Sequence, residues 1–396
     1  MSSTTAVITV CPLCGSSQLR EVLDIESIPV HVCVMESSRE EAIQAPTGSL
    51  ALRWCDGCSF LFNAAFESEK LDFHPGYEAS LRHSKTFQRF IRAVADRLGS
   101  KYQLHDKDIV EIGCGDGFFL SLLAEQGANR CVGFDPSAPS TGRIETGRGS
   151  VQLIRDYYGI ESAEVPCDFL CCLSVMEDLA RPHEFVSEVT EVLGTRRVPC
   201  YFEIFNGFGS VASGNHWSLL YEQCNYFNLS TYEALFQNCG FELLDSGFCY
   251  GNDEYIFVEA LWDGTSPRRG IEPQCPTIPE HLETVAVRRE NEILQWRSQL
   301  GSVADLGKSV ILWGTGGKGV NFLNAIGPDS GIQYAVDINP RRQGLYVPGT
   351  AQEIVAPEQL CKIQPDYVVI TNPLYEEEIL EQLRILSVSC QCWLLR

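Results

Sequence analysis

The sequence predicts an α/β protein: a doubly wound central unit, a zinc-binding segment before it and a smaller α/β unit after it. Three observations carry this. Strand–glycine turn–helix patterns open at Asp108 and at Val310, and two Cys-x-x-Cys pairs lie in the first 60 residues. Strand patterns alternating with helical ones argue for parallel strands joined by crossover helices.

Composition bounds the rest. A chain of 396 residues exceeds one ordinary core and predicts two or three domains. Hydrophobic residues at 44% and charged residues at 21% describe a folded chain. Thirty basic against 52 acidic side chains leave a net charge of −22. That disfavours nucleic acid or an anionic membrane as partner, because both repel such a chain. No apolar run approaches the roughly twenty residues needed to span a bilayer. The stretch from Met1 to Val10 lacks a leader pattern, so a cytoplasmic location is expected. The 18 cysteines are then expected as thiols or metal ligands.

Texture divides the chain into four parts. Residues 1–72 are irregular and cysteine-bearing, and residues 73–262 alternate helix and strand patterns. Residues 263–305 comprise a Pro/Gly-rich linker (263–279) and a charged helix (280–300). Residues 306–396 begin a fresh α/β pattern.

In the first part, Cys11, Cys14, Cys55 and Cys58 form the two pairs. Two residues between cysteines let a tight turn aim both sulfurs at one point, and two such turns supply a tetrahedral Zn²⁺. Four protein ligands leave no open position, so the expected role is structural. His31 and Cys33, inside the spacer, are rival ligands.

The first glycine turn reads Glu111-Ile-Gly113-Cys-Gly115-Asp-Gly117. Its glycines allow positive φ and close backbone approach to a ligand. The next strand closes on Phe134-Asp135, where an acidic side chain can accept ribose hydroxyls. A carboxylate at Glu111 would repel pyrophosphate but suits a cationic ligand.

This turn resembles the first motif of class I S-adenosylmethionine-dependent methyltransferases. The resemblance implies a Rossmann-like central domain. It implies that Glu111, Gly113, Gly115 and Gly117 shape a cofactor site, that Asp135 binds the ribose and Phe134 flanks the adenine. It puts the fourth strand at Cys167–Ser174, with Ser174 at the cofactor and Glu177-Asp178 after it, where many relatives carry Glu-His.

Three further stretches resemble one subfamily, the zinc-containing sugar C-methyltransferases of nucleotide-sugar pathways and their relatives in secondary metabolism. They are the cysteine pairs, the run from Trp217 through Tyr221-Glu222-Gln223-Cys-Asn225-Tyr226, and the C-terminal unit with Gly314-Thr-Gly316, Asp337-Ile-Asn339 and Asn372-Pro373. The likeness implies methyl transfer to a small polar acceptor, a sugar nucleotide or a secondary metabolite. In that family the middle run reads Tyr-Glu-His, and the histidine is taken as the general base. Gln223 stands at that position, and an amide cannot take up a proton near neutral pH. An alternative base, or O- or N-methylation, is therefore open. His216 and Glu222 are candidate substitutes. Tyr221 and Tyr77 are candidate catalytic contributors, with His83 beside the latter. Asn225 and Tyr226 are candidate acceptor contacts.

The second turn, Gly314-Thr-Gly316-Gly-Lys318-Gly319, satisfies the dinucleotide fingerprint, with Asp337 ending the next strand. Taken alone it predicts a Rossmann-like unit and an NAD-linked oxidoreductase. The resemblance implies instead that Lys318 and Asn339 meet a nucleotide or phosphate of the acceptor. A third possibility is a non-catalytic binding protein on the same fold.

Overall fold

The computed structural model describes residues 7–264 and 278–395. The greater part of the expected linker lies outside them.

Three sheets organise the chain. The first is antiparallel. It contains β1 (Leu19–Pro29), β2 (Thr47–Cys55) and β3 (Leu61–Asn63). Its fourth strand comes from far along the sequence, as described below.

The second sheet is the expected doubly wound one. Its strands are β4 (Asp108–Ile112), β5 (Arg130–Phe134), β6 (Gly142–Glu145), β7 (Ser150–Ile154), β8 (Phe169–Leu173) and β9 (Val198–Phe205). The short β10 (Asn225–Tyr226) leaves this unit and pairs with β3, joining the middle run to the cysteine-bearing segment. The central sheet then closes with β11 (Glu242–Cys249) and β12 (Tyr255–Trp262). Its order is β11-β12-β9-β8-β4-β5-β7-β6. The β4–β5, β5–β7, β4–β8 and β8–β9 pairs are parallel, and antiparallel strands cover both edges. Helices Lys85–Lys101 and Phe118–Gly127 and helices Pro182–Leu193 and Leu229–Asn238 pack on the sheet. Near-continuous apolar runs such as Phe-Leu-Cys-Cys in β8 are what a strand covered on both faces requires.

The charged helix predicted over 280–300 is present as a short turn, Glu280–Glu283, and a long helix, Val285–Asp305. The third sheet contains β13 (Val310–Trp313), β14 (Tyr334–Val336), β15 (Glu353–Val355), β16 (Tyr367–Ile370) and β17 (Gln391–Leu394), all parallel, in the order β15-β14-β13-β16-β17.

The order of both parallel sheets reverses at one place. In the central sheet, successive connections run outward to opposite sides from β4 and β8; in the third sheet they do so from β13 and β16. Loops leaving the carboxyl ends of such neighbours diverge and leave a crevice. The Gly113 and Gly314 turns follow β4 and β13 at these positions.

Candidate active site

The crevice beside β4 is a cleft of about 650 Å³. Gly113, Gly115, Phe134, Asp135 and Ser174 line it. Gly113 has φ +75°, and a Cβ there would stand 2.1 Å from Val175 Cγ2. Gly115 has φ +52°, and a Cβ there would meet nothing within 4 Å. Gly117 caps helix Phe118–Gly127 without itself lining the cleft. Asp135 Oδ2 accepts the Gly115 amide at 2.7 Å, while Oδ1 accepts the Ser137 amide and hydroxyl at 2.7 and 2.6 Å. One carboxylate thus ties the end of β5 to the glycine turn. Phe134 meets Tyr158 edge-on at 5.3 Å.

Glu111 does not line the cleft. It is buried beneath the turn, and its Oε2 has no hydrogen-bond partner among the described residues. Burial, then the charges of Asp135 and Asp116, push its carboxyl well above the usual range.

A second cavity, of about 320 Å³, lies between the central and C-terminal units. Ser174 and Asp178 after β8 form one side; Gly314, Asp337 and Asn372 form the other. The carboxyl ends of two parallel sheets therefore face each other across one space. The cavity and the cleft share Tyr77, Ala79, Ser80, Leu81, Ser174, Asp178 and Tyr255, and so have a common wall.

Gln223 and Glu222 line this cavity. Gln223 has no protein hydrogen-bond partner among the described residues, whereas Glu222 is saturated. Its Oε1 accepts the backbone amides of Val32 and Cys33, the latter at 3.2 Å, and its Oε2 accepts the Tyr77 hydroxyl at 2.7 Å. A proton-accepting role for Glu222 would break these bonds. Tyr77 spans both spaces, and burial, then Cys33 and Glu222, push its phenol well above the usual value. His83 lines the cavity alone.

Four of the expected catalytic and acceptor-contact residues stand outside both spaces. His216 is fully buried, and it packs on Trp217 at 4.2 Å. Burial, then Arg289 and Arg288, push its imidazole down to about 3. It is a neutral core side chain, because its short helical turn faces the Val285–Asp305 helix. Tyr221 is also fully buried, and its hydroxyl exchanges hydrogen bonds with the Glu67 backbone. The Tyr226 hydroxyl accepts the Leu220 amide at 3.1 Å. Asn225 donates through Nδ2 to the carbonyls of Met176, at 3.0 Å, and Leu179, at 2.5 Å. Asn225 therefore holds the turn that carries Asp178.

From the C-terminal unit, Lys318 and Asn339 line the cavity. Lys318 Nζ is already paired with Glu254, at 3.2 and 3.5 Å. Asn339 Oδ1 accepts the Arg341 amide at 3.0 Å, and its Nδ2 is buried without a partner among the described residues. Sequence reasoning missed Arg342, buried in the cavity wall. Its guanidinium donates to the Thr315 and Glu78 carbonyls. The chain signal was the Arg341-Arg342 pair just after Asn339-Pro340.

The segment from Phe73 to Ser84 crosses from one unit to the other. Arg341 pairs with Glu78 at 2.5 Å, Arg82 with Asp116 at 2.9 Å, and Glu378 accepts the Ser84 hydroxyl at 2.7 Å. Glu378 also accepts the Lys85 and Thr86 amides at the start of the Lys85–Lys101 helix, a favourable place for a carboxylate.

Away from the cleft, the sulfurs of Cys11, Cys14, Cys55 and Cys58 lie within 4.8 Å of one another, with Cys11–Cys58 at 3.7 Å and Cys14–Cys55 at 3.6 Å. Zn–S bonds of about 2.3 Å in a tetrahedron imply sulfur separations of about 3.8 Å, so the set fits structural Zn²⁺. The two turns match: the Gly15 amide donates to Cys11 O at 2.9 Å and the Ser59 amide to Cys55 O at 2.8 Å. His31 and Cys33 are not in the cluster; Cys33 lines the cavity between the two units.

Comparison with known proteins accords with this architecture. The family profile described as a methyltransferase domain matches residues 82–246, and that of the C-methyltransferase C-terminal domain matches residues 283–392. The C-methyltransferase NovU of Streptomyces niveus is 23% identical over 94% of this chain and 91% of its own. Among solved structures, the magnesium protoporphyrin IX methyltransferase of Synechocystis PCC 6803 with bound S-adenosylhomocysteine is 16% identical, covering 44% of this chain and 83% of its own, at TM-score 0.35. The plantazolicin methyltransferase BpumL with the same ligand is 17% identical, covering 45% and 86%, also at TM-score 0.35. With both profiles in chain order and a relative matched end to end, the chain is a class I S-adenosylmethionine-dependent methyltransferase of the C-methyltransferase family.

Proposed function

We propose that the chain transfers a methyl group from S-adenosylmethionine, held in the cleft beside β4, to a small polar acceptor held in the cavity between the two α/β units. The observation that carries this reading is the wall common to the two spaces, at Tyr77, Ser174 and Asp178. A group can pass between occupants only where their sites adjoin.

The cleft suits the cofactor. Gly115 leaves open the space that a side chain would fill, and Asp135 lines the same cleft. Gly113, Gly115 and Asp135 would hold the nucleoside, with Phe134 beside its base. When bound, S-adenosylmethionine supplies a methyl carbon made electrophilic by the sulfonium. The chain's own residues position the acceptor and exclude water. Gln223, free of protein partners, can orient an acceptor carbonyl, hydroxyl or amine through its amide. Holding the attacking atom in line and close supplies much of the acceleration in such a displacement.

Family likeness favours carbon as the attacking atom; the Gln223 amide leaves oxygen or nitrogen open. Nucleotide linkage of the acceptor is the finer question. The cavity's lysine is paired with Glu254 and its arginine donates to two backbone carbonyls, while the arginine Nε has no partner among the described residues, so the donors there are only partly committed. The second glycine turn opens onto this same cavity, which favours acceptor contact over an independent NAD site.

Calorimetry with S-adenosylhomocysteine and with NADH tests the reading. Binding of the first alone is expected; heat from NADH alone would overturn it. Methyl-transfer assays on candidate acceptors with Gln223→His and Gln223→Ala then test position 223.

A further inference from the structure

We propose that Asp178 is the proton acceptor of the transfer, occupying the role left open by Gln223. The proposal rests on the cofactor reading of the β4 cleft. A proton released as the acceptor attacks the methyl carbon must leave near the boundary between cleft and cavity. Of the seven residues on the common wall, three are ionisable: Tyr77, Tyr255 and Asp178. The Tyr77 hydroxyl already donates to Glu222, and burial holds both phenols well above their usual range, so neither accepts a proton near neutrality. Asp178 Oδ1 is shielded from solvent and carries no hydrogen bond among the described residues.

The turn is built to hold this carboxyl. Ser174, at φ +53°, turns the chain out of β8, and the Asp178 amide donates to Val175 O at 3.1 Å. Asn225 grips the carbonyls on either side of Asp178, those of Met176 and Leu179. A left-handed serine and a buried amide clamp are costly features for an ordinary surface loop. The surroundings set the affinity for protons. Burial, then Glu177 and Glu222, push the Asp178 carboxyl well above the ordinary aspartate range. Cys33, Cys224 and Tyr226 also face this region, and Arg342 lies across the cavity.

The step balances without a co-reactant. The acceptor's X–H proton passes to an Asp178 oxygen, and the electron pair on X forms the X–CH₃ bond. The methyl–sulfur bond breaks with its electrons remaining on sulfur, leaving neutral S-adenosylhomocysteine. The proton later leaves Asp178 for solvent. His83 is the rival, but it lines the cavity alone.

The test needs no known acceptor. Sinefungin replaces the transferable S-methyl of the cofactor with a carbon bearing a protonated amine, whereas S-adenosylhomocysteine has nothing there. Dissociation constants for both are measured by calorimetry on the full chain, wild type and variants. Asp178→Asn should weaken sinefungin about tenfold or more and leave S-adenosylhomocysteine within about twofold. In the wild type the preference for sinefungin should rise with pH as the carboxyl ionises, and in Asp178→Asn it should be flat. An unchanged ratio, equal weakening of both ligands, or a loss that follows His83→Gln instead would overturn the proposal. Failure of the wild type to bind either ligand would overturn the cofactor reading itself, a result distinct from these.

Discussion

The Tyr77 hydroxyl donates to Glu222 Oε2 at 2.7 Å, pinning the segment that crosses both units to the middle run. Glu222 also takes the amides of Val32 and Cys33, so one buried carboxylate gathers three chain segments. Glu222→Gln turns an NH₂ toward at least one of these donors. It should destabilise the protein by about 1–3 kcal/mol, read as a lower urea midpoint. Tyr77→Phe and Glu222→Gln should be non-additive, because they share a partner. Additive losses would dissociate them.

The two leading glycines separate shape from occupancy. In Gly113→Ala the new methyl meets Val175, so the variant should lose about 2–3 kcal/mol of stability. In Gly115→Ala the methyl enters open cleft. Stability should fall by only about 1–2 kcal/mol, while S-adenosylhomocysteine affinity drops about tenfold or more. Thermal melts paired with calorimetry distinguish the two patterns.

One equivalent of zinc per chain is expected by elemental analysis. Cys11, Cys55 and Cys58 share a core with Phe227, Tyr232 and Phe236 of the methyltransferase unit, so damage at the cluster should reach beyond it. Cys58→Ser, or prolonged chelation, should lower the melting temperature by about 5 °C or more. A full melt retained in metal-free protein would contradict this.

Buried acids make stability fall with rising pH. Burial raises the Glu177 carboxyl to about 7, and burial likewise raises Glu203 to about 7. Each folded value lies above the unfolded one of about 4.3. The resulting stabilisation is full below the unfolded value and is lost as pH rises through about 7. The melting temperature should therefore drop between about pH 4.5 and pH 7 and level off above, and Glu177→Gln should reduce that drop.

Releasing Lys318 should change what the cavity accepts. Glu254→Gln removes its ionic partner and leaves the ammonium facing the space. Affinity for a nucleoside diphosphate should rise about threefold to tenfold over wild type. No gain would mean that Lys318 does not face phosphate.

The sequence by itself determined what local chemistry records: the two Cys-x-x-Cys turns, the glycine turns after β4 and β13, and the acid that closes β5. Each depends on neighbours a few residues apart, through backbone freedom or fixed spacing, and each could be read without a fold. Which side chains face the cavity was decided only by tertiary packing. Tyr221, Tyr226 and His216 belong to the same run as Gln223. They point into the core because β10 pairs with β3 and the His216 turn lies against the Val285–Asp305 helix. Asp178 and Arg342 drew little notice in the chain, since an acid after a strand or a basic pair in a loop is usually solvated. They matter because two sheets bring the carboxyl ends of distant strands to opposite sides of one space, and burial there raises the energy of every unpaired charge.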